Sequence, residues 1–243
     1  MSGHSKWSQI KRQKGLADAK RGQIFTKLGN ALTIAVKEGG GIVDPESNFK
    51  LRLVIEIAKQ ANMPKENIQR ALDRALGKGE EGELEEVFYE GFGPQNISVM
   101  VEAVTDNRLR TQAGVKNFFD KSGGRLGSFG SVSYLFQKSG LIIAAKEGKT
   151  PEEVFLLAAD LGAKEVEEGE EIEIYTKPGE LHNIKKALED KGIKVLSAEL
   201  IMKPTTLIEI TNREHADKII SFLAGLEDLD DVQKVYSNVD ILV

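Results

Sequence analysis

The chain contains no cysteine, which removes disulfides and thiolate metal sites and suits a reducing, cytoplasmic setting. Its three histidines, His4, His182 and His215, stand far apart in sequence and lack metal-ligand spacing. It has one tryptophan, Trp7, and no apolar run near the roughly 18 residues that span a bilayer. The opening Met1-Ser2-Gly3-His4-Ser5-Lys6-Trp7 has no apolar core of the secretory kind. No G-x-S-x-G elbow or P-loop occurs, and no G-x-G-x-x-G run stands between a strand and a helix as a dinucleotide fingerprint does. No catalytic residue, cofactor or metal is expected from this inventory, and no membrane partner.

What is present is charge, unevenly placed. The formal net charge is −5, which on its own argues against a polyanion partner. Residues 1–30 hold seven cations (Lys6, Lys11, Arg12, Lys14, Lys20, Arg21 and Lys27) against one acid, Asp18, so this end carries +6 and the remaining 213 residues −11. Several cations on one surface release counterions from a phosphate chain, and Arg forks onto phosphate oxygens. Trp7 stands among these cations and offers a stacking face. The competing explanation is a solvated helix face with Trp7 plugging a core.

A second group of cations is Arg52, Lys59, Lys65, Arg70, Arg74 and Lys78, interleaved with Glu56, Glu66 and Asp73; a salt-bridged exposed face accounts for it, with Arg52, Lys65 and Arg70 kept as secondary nucleic-acid candidates. Asn107, Arg108 and Arg110 precede a helix and form a possible phosphate cradle, although ordinary turn residues explain them almost as well. The Gly-rich run 123–130, with Arg125, is better explained as a domain junction than as a phosphate loop. The acids Glu165, Glu167, Glu168, Glu170, Glu171 and Glu173 read as a solvated edge that repels nucleic acid.

The periodicity predicts an α+β protein. Phe25, Leu28, Leu32 and Ala35 make one helical stripe, stopped by Gly39-Gly40-Gly41; Asp44-Pro45 reads as the next helix start, and Pro64 as the third. The stretch 79–86 reads as a linker. Ile97, Val99, Val101 and Ala103 alternate as a strand, followed by a helix near 108–121. Val132–Phe136 and Leu141–Ala145 read as a hairpin, and Thr150-Pro151-Glu152-Glu153 as a capping box. Strand–helix units at 97–121 and 207–239 are each too small to close a core. The expected organisation is a basic helical domain (1–78), a discontinuous α+β domain (79–131 with 204–243) and an inserted α+β domain (132–203).

Several ordered blocks resemble the YebC/PmpR-type family, which includes a mitochondrial translational activator of a cytochrome oxidase subunit. They are Gly3-His4-Ser5-Lys6-Trp7 with Ile10-Lys11 and Arg21-Gly22; Ala61-Asn62-Met63-Pro64-Lys65; Tyr89-Glu90-Gly91-Phe92-Gly93-Pro94; Thr105-Asp106-Asn107-Arg108; and Gly123-Gly124 through Gly130-Ser131-Val132. Gln95-Asn96 and Phe129 depart from that pattern. The resemblance implies a helical domain and two ferredoxin-like α+β domains, one discontinuous, and a cytoplasmic regulator of gene expression. It leaves two targets open: duplex DNA, as a transcriptional regulator, or ribosomal RNA, as a translation factor on the ribosome. A helix-turn-helix is not expected, because the connection beginning at Gly39 is long for that turn.

Overall fold

Among the described residues three amphipathic helices come first, and they pack together because none can bury its stripe alone. The computed structural model describes residues 18–78, 82–147 and 149–243. Helix α1 (Asp18–Glu38) packs on α2 (Phe49–Gln60) and α3 (Lys65–Ala75), closing a core of Leu32, Ala35, Val36, Leu51, Ala58, Met63 and Ala71. Asp44 does not start α2. Its carboxylate accepts from the Glu46 amide and the Ser47 hydroxyl, at 3.1 and 2.8 Å, which builds a separate turn. Asn48 caps α2 instead, because its buried side chain satisfies three groups at once: it accepts from the Leu51 amide and donates to the carbonyls of Ala35 and Ile42.

The first sheet has strand order β3-β1-β2-β9, formed by β1 (Glu85–Phe92), β2 (Ser98–Thr105), β3 (Arg125–Leu126) and β9 (Val232–Ser237). Strand β1 begins inside the stretch that composition marks as a linker. Its burial does not alternate: Phe88 is exposed while Glu90 is buried, so the period-2 signal is lost. Helices α4 (Arg108–Lys121) and α7 (Arg213–Glu227) supply Val115, Phe119, Ile219, Phe222 and Leu223 to the core behind this sheet.

Strand β9 pairs with β2 (Val99 with Ser237, Val101 with Val235) across a long excursion of the chain. That excursion folds as β4 (Phe136–Ala144), α5 (Pro151–Asp160), β5 (Glu165–Glu168), β6 (Ile172–Thr176), α6 (Leu181–Asp190) and β7 (Val195–Pro204). Its sheet order, β5-β6-β4-β7, is that of a ferredoxin-like unit. The first sheet reaches a similar layer arrangement by another strand order. The Thr150–Glu153 capping box forms as the residues predict. The expected hairpin at 132–145 does not form: Ser133–Leu135 is a 3-10 turn and 136–144 run on as one strand, β4. Gly140 is not a turn glycine: a Cβ there would stand 2.3 Å from Thr176 Oγ1 and 2.9 Å from Leu181 Cβ, so it permits close approach. A short parallel pair, β8 (Ile208–Ile210) with β10 (Val239–Ile241), completes the fold.

The parts share side chains. Leu53 of α2 is buried in the core of the second sheet with Ile142, Val154 and Leu188. Met100 and Tyr236 of the first sheet are buried with Phe136, Leu141, Ile143 and Tyr175 of the second.

Candidate nucleic-acid interface

Helices α2 and α3 are joined by four residues, Ala61–Pro64. Asn62 sits in the left-handed region at φ 57°, the position that a helix C-terminus most often gives to glycine and sometimes to asparagine. Its amide donates to the Lys59 carbonyl and that of Met63 to the Ala58 carbonyl, at 3.0 and 2.9 Å, the two bonds of a Schellman stop. Met63 turns into the helical core, and Pro64 ends the turn in extended geometry.

Helix α3 then sorts its residues. Ile68, Ala71, Leu72 and Ala75 face the core, so Lys65, Glu66, Gln69 and Arg70 are exposed. Arg70 donates to Asn67 Oδ1 at 2.9 Å and Gln69 to Asp73 Oδ1 at 3.2 Å. These are local surface bonds that a stronger acceptor can replace. Lys65 lies at the positive end of the helix dipole. The exposed face is thus a polar, net-basic strip that begins immediately after a short turn.

The other sequence candidates separate into distinct environments. Lys6, Trp7, Lys11, Arg12 and Lys14, and the side chain of Lys20, lie outside the described residues. Arg21 is exposed near the start of α1. Lys27 is half-buried and donates to the Glu227 carbonyl, so its charge sits at the negative end of α7 and fastens α1 to it. Arg52 is occupied within the chain: Nε donates to the Pro45 carbonyl at 2.8 Å, Nη2 to the Glu46 carbonyl at 2.7 Å, and Nη1 lies 2.8 Å from His182 Nε2. Arg108 is exposed beside Glu85 at 3.7 Å. Arg110 pairs with Asp106 at 2.9 Å and Asp231 at 3.3 Å, contacts that raise its pKa. Asn107 is the cap of α4, accepting from the Arg110 amide at 3.1 Å. With two carboxylates at this helix start, 106–110 is an ion-paired corner.

Two features escape the residue-by-residue reading. One is the 61–64 turn, signalled by Asn62-Met63-Pro64 between two periodic segments but passed over in favour of the longer glycine loop. The other is a cavity of about 780 Å³ where α1, α2, both sheets and α7 meet. Lys234, Glu199 and Glu102 of its lining are engaged within the chain. Lys234 Nζ donates to Glu199 Oε2 at 2.8 Å and to the Leu200 carbonyl at 2.9 Å, and the Tyr236 hydroxyl donates to Glu102 at 2.9 Å. Burial and these carboxylates push the Tyr236 phenol well above 10. Among the described residues no His, Asp or Glu cluster is arranged to hold a metal ion, and no helix is long and apolar enough to cross a membrane.

The model of the TACO1/YebC N-terminal domain matches residues 5–78, and that of the TACO1/YebC second and third domain matches 84–239. A protein of Persephonella marina described as a probable transcriptional regulatory protein is 49% identical over 243 residues, covering 99% of this chain and 96% of its own. One of Chloroflexus aurantiacus with the same description is 51% identical over 246 residues, with the same coverage of 99% and 96%. The crystal structure of a conserved hypothetical protein from Aquifex aeolicus superposes with a TM-score of 0.84 at 44% identity, covering 93% of each chain.

Proposed function

The chain belongs to the TACO1/YebC family, and from that premise we propose that it is a nucleic-acid-binding regulator of gene expression, acting in the cytoplasm on duplex DNA. The observation that carries this reading is the α2–turn–α3 unit. A four-residue turn followed by a helix exposing Lys65, Gln69 and Arg70 has the connection of a helix-turn-helix, whose second helix enters the major groove by its N-terminal residues. Gln and Arg are side chains that read adenine and guanine edges bidentately there. The cations of residues 1–30 would add phosphate contacts that position without specifying. The names of the relatives, probable transcriptional regulatory proteins, support the same reading.

A ribosomal target is the second reading, with the same cations on ribosomal RNA. The exposed aromatic Phe129 favours it, since folded RNA offers unpaired bases for stacking.

The test is duplex-DNA retardation beside ribosome sedimentation at one matched salt concentration. If about six phosphates are contacted, log affinity for DNA falls against log salt with a slope of about −5. Lys65→Glu with Arg70→Glu, and separately Lys11, Arg12 and Lys14→Glu, should each lose DNA binding while melting as the wild type does. Wild-type affinity in both variants would remove the helical region from the function. Co-sedimentation with ribosomes in the absence of DNA binding would hand the function to the second reading.

A further inference from the structure

The loop between β3 and β4 exposes Phe129 to 93% and Tyr134 to 73%. A phenylalanine left in water forgoes the stabilisation that burial supplies, and such a residue at the tip of a slack loop would collapse onto the nearest apolar surface. This loop is not slack. Beneath it lies Glu90, only 3% exposed. Its Oε1 accepts from the Gly130 amide at 2.8 Å, and its Oε2 accepts from the amides of Val132 and Ser133 at 2.7 and 2.8 Å. Its backbone carbonyl takes the Gly127 amide at 2.7 Å. Four amides of one loop are therefore fixed by a single residue of β1.

The glycines complete the clamp. A Cβ on Gly124 would stand 2.8 Å from the Phe92 carbonyl oxygen, and one on Gly127 would stand 2.4 Å from Ser131 Oγ. Gly130 adopts φ +86°, which a larger residue resists. Arg125, at the loop's entry, places its guanidinium 4.7 Å from the centroid of the Phe92 ring.

The charge of the segment narrows the partner. From Lys121 to Lys138 there are three cations and no acid, in a chain whose acids outnumber its Lys and Arg by 38 to 33. Glu90, the anion beneath, has its oxygens taken up by amides. Phe129 is flanked by Ser128 and Gly130, neither of which can cover its ring or extend an apolar patch. A protein-binding core would be a contiguous apolar surface; Phe129 and Tyr134 exposed on a small, acid-free, rigid frame have the form of a stacking platform or a wedge between bases.

We infer that the loop 127–134 is a pre-organised nucleobase contact, with Phe129 stacking on a base that is either unpaired or levered open at a duplex step. The inference rests on the nucleic-acid-binding reading, but uses a surface separate from the helical unit.

The experiment titrates wild type, Phe129→Ala, Phe129→Leu and Phe129→Trp against a single-stranded oligonucleotide carrying 2-aminopurine. The same proteins are titrated against an end-labelled duplex whose bend is read by energy transfer. Phe129→Ala should lose about tenfold in affinity, Phe129→Leu should not recover it and Phe129→Trp should. The slope on log salt should be unchanged, because no phosphate contact is removed. A loss on the single strand identifies an unpaired base, and a loss on the duplex together with its bend identifies the wedge. Wild-type affinity of Phe129→Ala for both forms overturns the inference, including the case where the variant instead loses a protein partner. If Phe129→Ala keeps wild-type affinity while Lys65→Glu with Arg70→Glu abolishes duplex binding, the stacking role falls and the functional reading stands. Failure of the wild type to bind either form sinks both.

Discussion

Arg52 Nη1 lies 2.8 Å from His182 Nε2, joining α2 of the helical region to the first turn of α6. Arginine stays protonated and can only donate, so His182 must present a bare Nε2 and be neutral. Phe49 packs beside the ring, with centroids 5.4 Å apart, and Lys185 pairs with Glu56 at 3.0 Å across the same seam.

Burial, then the charges of Arg52 and Lys185, hold the His182 pKa below its ordinary value of 6.5. A folded pKa below the unfolded one gives stability that is complete above pH 6.5 and is lost as pH falls toward the depressed value. The wild type should therefore unfold at lower urea at pH 5.5 than at pH 8, and His182→Asn, which keeps an acceptor but cannot titrate, should lose part of that difference. An identical pH dependence in the two proteins would dissociate His182 from the seam.

Glu90 is the second titratable test. Its burial works to raise the carboxyl pKa, but the amides of Val132, Gly130 and Ser133 outweigh this and lower it. The contribution is present above the ordinary carboxylate range and disappears as pH falls through the lowered value. Glu90→Gln keeps one acceptor but turns an NH₂ toward amide donors, which should cost about 1–3 kcal/mol. Faster hydrogen exchange at Gly130, Val132 and Ser133, with slower change in the helical core, is the expected signature; unchanged exchange at those amides would mean that the loop holds itself.

Legibility followed local chemistry. The Thr150 capping box, α4 and the presence of strand β2 can be read from adjacent residues, because each is determined by spacing of two to four positions; the burial of both faces of β2 cannot. Strand counting joins the 97–121 and 207–239 units, since neither can close a core alone, but the pairing of β2 with β9 is visible only in the fold. Strand β1 and the unbroken β4 were missed because Glu90 and Gly140 look like surface and turn residues, and only tertiary partners reveal them as a buried clamp and a close-approach site. In the candidate interface, charge alone could not separate Arg70 from Arg52. One is exposed with a single local bond; the other has three donors engaged within the chain.

That contrast makes a paired prediction. Arg52→Ala should lower stability by about 1–3 kcal/mol, because carbonyls and an imidazole lose their donor. Arg70→Ala should change stability by less than about 0.5 kcal/mol, as exposed substitutions do, and weaken DNA binding. If Arg70 meets phosphate, the salt slope should shrink by about 1; if it meets a base, the slope should hold and sequence preference relax. Equal effects of the two substitutions on stability would contradict the assignment.

The last prediction concerns the ion pair that ties the two sheets together. Lys234 of β9 reaches Glu199 and the Leu200 carbonyl of β7, and its pKa is raised because Glu199, Glu102 and Glu86 outweigh the effect of burial. Lys234→Met takes the cation from Glu199 and Glu102, while Glu86 keeps Lys50 at 3.6 Å. Removing one member of a fully buried pair costs about 3–5 kcal/mol; here the Lys234 and Glu199 side chains are 32% and 36% exposed, so about 1–3 kcal/mol is expected. The sign with pH is distinctive. Like charges raise carboxyl pKa values in the folded variant, so protonation relieves it, and its deficit against wild type should narrow as pH falls from 7 to 5. Lys234→Met with Glu199→Leu removes both charges and should recover part of the loss, a coupling that a double-mutant cycle by urea unfolding measures directly. A deficit that stays constant with pH and adds without coupling would show that the lysine's aliphatic packing, and not its charge, holds the sheets.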